Sequence, residues 1–244
     1  SSYSLISYFH KDEWLSSQLP KACFRLSYHD LNINQLKKNW KILKKINDHK
    51  FFVYAKIDPD QIDLIHFLEQ ENFRLIDTNI QFLLNGNINL YQENQKSINI
   101  KFAEEKYKKN ISEIAKKNFK FSRFHLDPKI DNSNANSIKS NWVENYFQGL
   151  RGDEMIIALL DGNVVGFLQL IIKKEIIIID LIGVDKKSQG KGVATEMIKF
   201  AHENNENKSI KVGTQISNIP SLRLYQNIGF VFSSSNYIFH YHSN

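Results

Sequence analysis

This chain of 244 residues is poor in cysteine and has no long apolar run. Its single cysteine, Cys23, excludes an internal disulfide and a cysteine-ligated zinc site. No apolar run approaches the roughly 20 residues that a membrane span needs, and the first residues lack the basic and then apolar pattern of a secretion signal. We therefore expect a cytoplasmic protein that does not enter a membrane.

Two common nucleotide-binding loops are also absent. The sequence contains neither Gly-x-x-x-x-Gly-Lys-Ser/Thr nor Gly-x-Gly-x-x-Gly, which excludes a P-loop and a Rossmann fingerprint. Positive charge is nevertheless concentrated in one part of the chain. Residues 1–96 carry 12 basic against 11 acidic side chains, whereas residues 97–244 carry 20 against 15. This bias fits a polyanionic small molecule such as CoA or a nucleotide sugar.

Nucleic acid would fit the same charge bias, but the pattern of lysines argues against it. They alternate with Glu and Asn and form no basic tract, as is typical of solvated faces. We therefore expect no nucleic-acid partner. The length exceeds that of a typical single domain, and the polar stretch 92–96 resembles a linker. This predicts an α/β domain over residues 1–95 and a second domain over residues 96–244.

One stretch of the second domain has the composition of an anion-binding loop. The apolar run 175–184 predicts a buried strand, and helical apolar spacing begins at Val193. Between them lie Gly190, Lys191 and Gly192, whose glycines allow an anion to approach the backbone closely. Amides at a helix start lack intrahelical partners and bind phosphate. An ordinary glycine-rich connection is the alternative.

Two other segments carry structural expectations. Residues 121–140 are read as irregular, with the tract DNSNANS as a mobile or a binding loop, and a helix is predicted from Ser140 to Leu150. Gly183, near the end of the apolar strand, suggests a β-bulge.

Two motifs resemble a known family. Gln189, Gly192 and Ala194 form Gln-x-x-Gly-x-Ala, which is similar to the acyl-CoA pyrophosphate loop of the GNAT acetyltransferase superfamily, and the segment from Asn218 to Phe230 resembles a second GNAT signature. Residues 122–125 and a helix bearing Trp142 resemble the nucleotide-sugar branch, typified by TDP-fucosamine N-acetyltransferase. The resemblance implies an α/β fold with a mixed sheet, in which a GNAT acyltransferase domain follows a smaller GNAT-like α/β domain.

The resemblance also implies a co-substrate, acetyl-CoA or another short acyl-CoA, and no metal. The loop would bind the CoA pyrophosphate, and free amides near Gly183, where two parallel strands of the family splay apart, would bind pantetheine and polarise the carbonyl. The residues expected to contact the cofactor are Leu181, Ile182, Gly183, Val184, Gln189, Gly190, Lys191, Gly192, Val193, Ala194, Asn218, Ser221 and Tyr225.

Tyr225 matches the tyrosine that serves as general acid in this superfamily, since a phenol is protonated at neutral pH. A buried aromatic residue on the last helix is the alternative for Tyr225, and a helix cap is the alternative for Asn218. The base is left open between His125, Asp180, Glu175 and solvent.

The implied acceptor is a TDP- or UDP-linked amino sugar, acylated by direct attack in a ternary complex. Its expected contacts are Arg123, His125, Trp142 and Asp180. This reaction would belong to lipopolysaccharide or O-antigen biosynthesis, and a homodimer is left open. The alternatives are a GNAT enzyme acting on a peptide N-terminus or a small amine, and a non-catalytic module that binds CoA or nucleic acid.

Overall fold

The computed structural model describes residues 7–86, 88, 97–206 and 208–244. Contacts divide the chain into two compact units. The first contains the described residues as far as Asn79, together with Leu126–Asn134 and Ser235–Asn244, and the second contains Ile80–His125 and Ala135–Ser234. The predicted boundary near residue 95 and the polar stretch 92–96 lie at or within residues that the structure does not describe.

Helices and strands alternate in the first unit. Its elements are β1 (Phe9–Lys11), α1 (Glu13–Gln18), β2 (Ala22–Leu26), α2 (Ile33–Ile46), β3 (Phe51–Ile57), α3 (Ile62–Gln70), the start of β4 (Arg74–Leu84) and most of β10 (Val231–His242). β1 is antiparallel to β2, β2 is parallel to β3, and β3 is antiparallel to β10. The predicted alternation of strand and helix is thus present here.

The core of the first unit forms around α2. Its apolar spacing places Leu36, Trp40 and Leu43 on one buried face. The Trp40 ring lies 5.2 Å from Phe73, while its Nε1 donates a 2.6 Å hydrogen bond to the Glu71 carboxylate. An amphipathic helix packed on a small sheet therefore gives this unit its own hydrophobic core.

Leu43→Ala should lower the free energy of unfolding of the first unit by about 2–5 kcal/mol, because it opens a cavity in a fully buried site. Leu75→Ala is the matched control, since the Leu75 side chain is 57% exposed. Urea unfolding followed by circular dichroism measures both. Equal losses from the two variants would contradict this assignment of the core.

The second unit contains a longer series of strands. Its elements are the end of β4, β5 (Ile98–Phe102), α4 (Lys108–Asn118), most of α5 (Arg123–Leu126), most of α6 (Asn132–Phe147), β6 (Glu154–Leu160), β7 (Asn163–Ile172), β8 (Ile176–Val184), α7 (Val193–Glu203), β9 (Ser209–Gln215), α8 (Ile219–Ile228) and the start of β10. Strands β5 to β8 are antiparallel neighbours, and β9 is parallel to β8. Among the described residues, no helix combines the length and the apolar character needed to cross a membrane.

Two hydrophobic clusters lie on this sheet. One includes Val193 and Met197 of α7, and the other includes Ile111 and Ala115 of α4. Each helix therefore buries one apolar face against the strands, which gives a layered arrangement of helices and mixed sheet.

A β-bulge occurs in β8 at Asp180, not at Gly183 as the sequence suggested. β7 pairs Gln169 with Leu181 but Leu170 with Ile179, so Asp180 is the additional residue. Gly183 has a different structural role. A Cβ atom there would lie 2.6 Å from Cε1 of Phe167, so a larger residue does not fit without displacement of that ring.

Helix α6 begins at Asn132, eight residues before the predicted start at Ser140. The expectation of an irregular segment over 121–140 is therefore wrong for its second half. Asn and Ser are weak helix formers, but Ala135 and Ile138 are fully buried on one side of α6. Tertiary burial outweighs the local preference of the DNSNANS tract.

Candidate active site

The second unit contains a cleft of about 760 Å³ at the end of β8. Its walls come from β8, the loop after it, the start of α7, the end of β9, α8 and the segment after α4. Every residue predicted to contact the cofactor lines this cleft: Leu181, Ile182, Gly183, Val184, Gln189, Gly190, Lys191, Gly192, Val193, Ala194, Asn218, Ser221 and Tyr225. Asp180 lines it too.

The loop before α7 has the geometry of an anion site. Gly190 and Gly192 adopt φ angles of 75° and 79°, which favour glycine, and Gly192 caps α7. The side-chain amide of Gln189 donates a 3.1 Å hydrogen bond to the carbonyl oxygen of Val184, which ties the loop to the end of β8. The loop thus presents the first amides of an 11-residue helix to the cleft.

The edge of β8 that borders the cleft is open. Its registered pairing with β9 ends at Ile179 and Val212, whereas its pairing with β7 continues as far as Val184. Over Leu181–Val184 in the described ladder, amides that point away from β7 can bind a ligand. The sequence prediction that the two parallel strands part near Gly183 agrees with this geometry.

Tyr225 reaches the cleft from α8. Its side chain is buried and packs against Phe82 and Phe230, with ring centroids 5.9 and 5.4 Å away. Burial raises the pKa of Tyr225 above its ordinary value, so the hydroxyl stays protonated at neutral pH. Among the described residues, this hydroxyl has no hydrogen-bond partner. It therefore remains available to donate to a ligand.

Asn218 lines the cleft and also caps α8. Its side-chain oxygen accepts a 3.3 Å hydrogen bond from the backbone amide of Ser221, and Pro220 lies in the first turn. The position of Asn218 is therefore compatible with capping α8 and with binding a ligand in the cleft.

The Asp180 side chain is 6% exposed, and its two oxygens accept hydrogen bonds from three neighbouring side chains. Arg151 contacts it with two 2.7 Å hydrogen bonds, Trp142 Nε1 donates at 2.9 Å, and the amide of Gln169 donates at 3.1 Å. The structure thus brings together two predicted acceptor residues, Trp142 and Asp180. It holds them as one hydrogen-bonded network, and the Trp142 ring is not part of the cleft lining.

Lys139 is a cleft residue that the sequence analysis missed. It is 9% exposed, and its ammonium nitrogen lies 4.4, 5.4 and 6.0 Å from the ring centroids of Trp142, Phe119 and Phe124. Within the described part of the chain it has no carboxylate or hydrogen-bond partner. Burial, with smaller contributions from nearby arginines, lowers the pKa of Lys139 to about 7.

Two predicted acceptor residues lie beside the cleft without forming its lining. Arg123 stacks its guanidinium 4.1 Å from the Phe124 ring centroid. The His125 ring is hydrogen-bonded to Ser122, and Ser122 lines the cleft whereas His125 does not. Glu175, a third candidate base, is exposed in the turn before β8.

The first unit holds a separate cluster of Asp127, His240 and His242, whose potential ligand atoms lie within 4.8 Å of one another. Both rings donate to the same Asp127 oxygen, at 2.6 and 2.7 Å. These are hydrogen-bond distances. Burial would raise the pKa of Asp127, but the two histidines outweigh it and hold the pKa well below its ordinary value.

The sequence of the second unit matches a known protein family, and this match agrees with the geometry of the cleft. Residues 112–230 match the sequence family described as acetyltransferase (GNAT) family. Residues 112–230 therefore form a GNAT acetyltransferase domain. The resemblance that the loop and the Asn218–Phe230 segment suggested is confirmed.

One curated relative is the spore coat polysaccharide biosynthesis protein SpsD of Bacillus subtilis (strain 168). It is 32% identical over 133 residues. The match covers 53% of this chain and only 46% of the relative, so this chain spans about half of that protein.

Solved structures support the fold at low sequence identity. A functionally unknown conserved protein from Staphylococcus epidermidis ATCC 12228 is 14% identical, with a TM-score of 0.65 over 98% of this chain and 88% of its own. A GCN5-related N-acetyltransferase from Sphaerobacter thermophilus is 13% identical, with a TM-score of 0.59 over 91% and 73%. Such similarity confirms the predicted GNAT fold.

Two residues of the GNAT domain were absent from the sequence predictions. Lys139 precedes Trp142 by three positions, so helical spacing would have placed them on one face, but the helix was predicted to begin after Lys139. Arg151 follows the predicted helix in an irregular stretch, and no local signal connects it to Asp180.

Lys139→Met should stabilise the GNAT domain most strongly below pH 7. Between pH 7 and 10.5, unfolded wild-type protein binds a proton that the folded state does not, so wild-type stability rises with pH over this range. The gain from methionine, more than about 1 kcal/mol at neutral pH, should therefore shrink towards pH 10. Urea unfolding between pH 6 and 10 measures it. Lys116→Met, at an exposed site on α4, is the control, and an equal, pH-independent effect of both variants would contradict the prediction.

Proposed function

We propose that this chain is an acyl-CoA-dependent N-acetyltransferase that transfers an acetyl group to the amino group of a nucleotide-linked amino sugar. One observation carries the proposal. A single cleft combines the glycine loop before α7, the open edge of β8 and the hydroxyl-bearing Tyr225. These are an anion site, a row of hydrogen-bonding amides and a proton donor, which together match the needs of thioester aminolysis.

The cofactor side of the cleft suits the negative charge and the extended shape of CoA. The helix-start amides and the exposed Lys191 would hold the pyrophosphate. The open β8 edge would accept the amide groups of pantetheine as an additional strand would. No side chain fills the space beside Gly190, since a Cβ atom there would have no heavy atom within 4 Å. The backbone is thus accessible to a phosphate group.

The chemistry would proceed by direct attack. The neutral amine of the acceptor forms a bond to the thioester carbon, and the oxyanion that develops accepts hydrogen bonds from β8 amides. The carbon–sulfur bond then breaks. Tyr225 donates its proton to the departing thiolate, which is a general-acid role that its raised pKa and its position in the cleft permit.

The acceptor side of the cleft favours an anionic amine substrate. Lys139 lines the cleft without a carboxylate partner, and Arg123 lies nearby. Asp180 is already bound to Arg151, so an acceptor carrying a diphosphate would supply the missing negative charge. The relative SpsD is a spore coat polysaccharide biosynthesis protein, which also supports a sugar acceptor.

Several finer expectations stay predictions. They are the two-domain boundary near residue 95, the nucleotide on the sugar, the lipopolysaccharide or O-antigen context, the cytoplasmic location, a homodimer and the absence of a metal. The acceptor experiment below distinguishes a nucleotide-linked amino sugar from a peptide N-terminus or a small amine.

Gly190→Ala should raise the dissociation constant of CoA by about tenfold, because alanine disfavours the left-handed backbone of this loop by roughly 1–2 kcal/mol and therefore shifts the loop towards conformations that do not bind the phosphate. Gly162→Ala is a matched control, because Gly162 has a φ of 79° and is equally open but lies in the β6–β7 turn. Isothermal titration calorimetry measures both. Equal weakening by the two substitutions would place the CoA site elsewhere.

Wild-type protein should release CoA from acetyl-CoA in the presence of a TDP- or UDP-linked amino sugar, and less efficiently with peptides or polyamines. Thiol release detects the reaction and mass spectrometry detects the acetylated product. A higher kcat/KM for peptide or polyamine would overturn the proposed acceptor class. Thioester cleavage with none of the amines would favour a non-catalytic module.

Tyr225→Phe should lower kcat by about 10²–10⁴-fold, as expected for the loss of a general acid, while the dissociation constant of CoA stays nearly constant. Tyr146→Phe is the control, because Tyr146 belongs to the same unit but does not line the cleft. An unchanged kcat in Tyr225→Phe would remove this tyrosine from the mechanism.

A further inference from the structure

The proposed reaction leaves the proton of the acceptor amine without an assigned destination. Attack on the thioester turns the amine nitrogen into a cation that must lose a proton. Asp180 is a poor candidate for this task, since its two oxygens already accept four hydrogen bonds. Glu175 is exposed in the turn that precedes β8, whereas the cleft lies beyond Ile179 near the other end of that strand.

A hydrogen-bonded chain of three polar side chains begins at the cleft wall. Ser122 lines the cleft, and its Oγ lies 2.5 Å from Nδ1 of His125. On the other side of the ring, Nε2 lies 2.8 Å from Oδ1 of Asn136. All three residues belong to the second unit. His125 itself does not line the cleft, so it can reach a ligand only through Ser122.

The chain fixes the protonation pattern of the imidazole. Asn136 Oδ1 can only accept, so Nε2 carries the hydrogen and Nδ1 presents its lone pair to the Ser122 hydroxyl. Burial and the charge of Lys139 on α6 lower the pKa of His125, although the Asn136 hydrogen bond opposes them. Arg123 lies on the same short helix. The ring is thus neutral near pH 7 and able to take up a proton.

We propose that Ser122 and His125 form a proton relay that serves as the general base, with Asn136 as the positioning residue that sets the imidazole tautomer. This inference rests on the proposed function and deepens it. Ser122 touches the acceptor amine, and His125 stores the proton behind it. The sequence suggested His125 as a base but gave it no route to the substrate.

The relay balances every proton of the reaction. As the amine nitrogen bonds to the carbonyl carbon, its proton passes to Ser122 Oγ, and the original hydroxyl proton passes to His125 Nδ1. The resulting imidazolium keeps its Nε2–H bond to Asn136. On the other side, Tyr225 protonates the thiolate. Return of one proton from His125 to the Tyr225 oxygen through solvent restores both groups, and the products are the amide and CoA.

Ser122→Ala should lower kcat by about 10²-fold or more, with little change in KM or in CoA affinity. Ser122→Thr, which keeps a hydroxyl group, should recover part of the loss. Ser112→Ala is the matched control and should keep wild-type turnover, because Ser112 bonds to Glu144 outside the cleft lining. Wild-type turnover in Ser122→Ala would overturn the relay.

The pH dependence of turnover separates a relay from a structural role. In wild-type protein, kcat should fall on the acid side with an apparent pKa below 6.5, as His125 becomes protonated. Asn136→Asp places a carboxylate beside Nε2 and should move this acid limb to higher pH. An acid limb that stays in place in Asn136→Asp would assign the base to another group.

Two further measurements address the relay without depending on the acceptor. Nitrogen-15 NMR of histidine-labelled protein should show His125 as the Nε2–H tautomer, and the Nδ1–H tautomer would overturn the relay. Mass spectrometry after incubation with acetyl-CoA should find Ser122 unmodified, because an acetylated Ser122 would make it a nucleophile. If the wild type acylates no amino sugar, the proposed function fails, whereas the tautomer still decides the relay geometry.

Discussion

The buried carboxylate of Asp180 is the constraint on which the architecture of the cleft depends. Asp180 is the additional residue of a β-bulge, and side chains of a strand alternate between its two faces. One added residue therefore exchanges the faces. Ile177 and Ile179 pack in the cluster with α7, whereas Leu181 packs in the cluster with α4. The registered pairing of β8 with β9 ends at the residue before the bulge. A charge in this position requires donors, and Arg151, Trp142 and Gln169 supply them.

The bulge also explains why the two ligands of the proposed reaction would meet where they do. Beyond Asp180, β8 is paired on one side only, which leaves amides for an extended cofactor. The same residue fixes Trp142 of α6 through a 2.9 Å hydrogen bond, and Trp142 in turn lies beside Lys139. Helix α6 also carries Asn136, the partner of His125. The position of one buried carboxylate thus connects the cofactor edge of the strand with the acceptor wall of the cleft.

The loop and the helix cap of the candidate site could be predicted because local backbone geometry determines them. Gly190 and Gly192 have positive φ angles because a turn into a helix requires them there, and Asn218 caps α8 through a contact three residues away. Such features leave a signature within a few residues. Lys139 and Arg151 have no comparable signature, since their roles arise from contacts across the fold.

The sequence predicted a helix α6 that was too short, because asparagine and serine disfavour helices. The burial of Ala135 and Ile138 stabilises the longer helix that the structure contains. Gly183 suggested a bulge that occurs three residues earlier. What glycine provides at 183 is space for the Phe167 ring, a tertiary requirement that glycine alone does not reveal.

Hydrogen-bond satisfaction distinguishes two buried charged residues, Asp127 and Lys139. Asp127 in the first unit accepts from two histidines and from the backbone amide of Lys129, so its buried charge is fully compensated. That arrangement connects chain segments that are far apart in sequence. Lys139 has the opposite character, because it is buried beside aromatic rings and forms no ion pair with a carboxylate among the described residues, although the charge of Asp180 acts on it from a distance. Protein folding alone gives no reason to keep an unpaired amine in such a place, since methionine would fill the volume at a lower desolvation cost. A ligand that brings negative charge into the cleft would provide the reason, and the cost of the unpaired amine in the empty protein would then be recovered on binding.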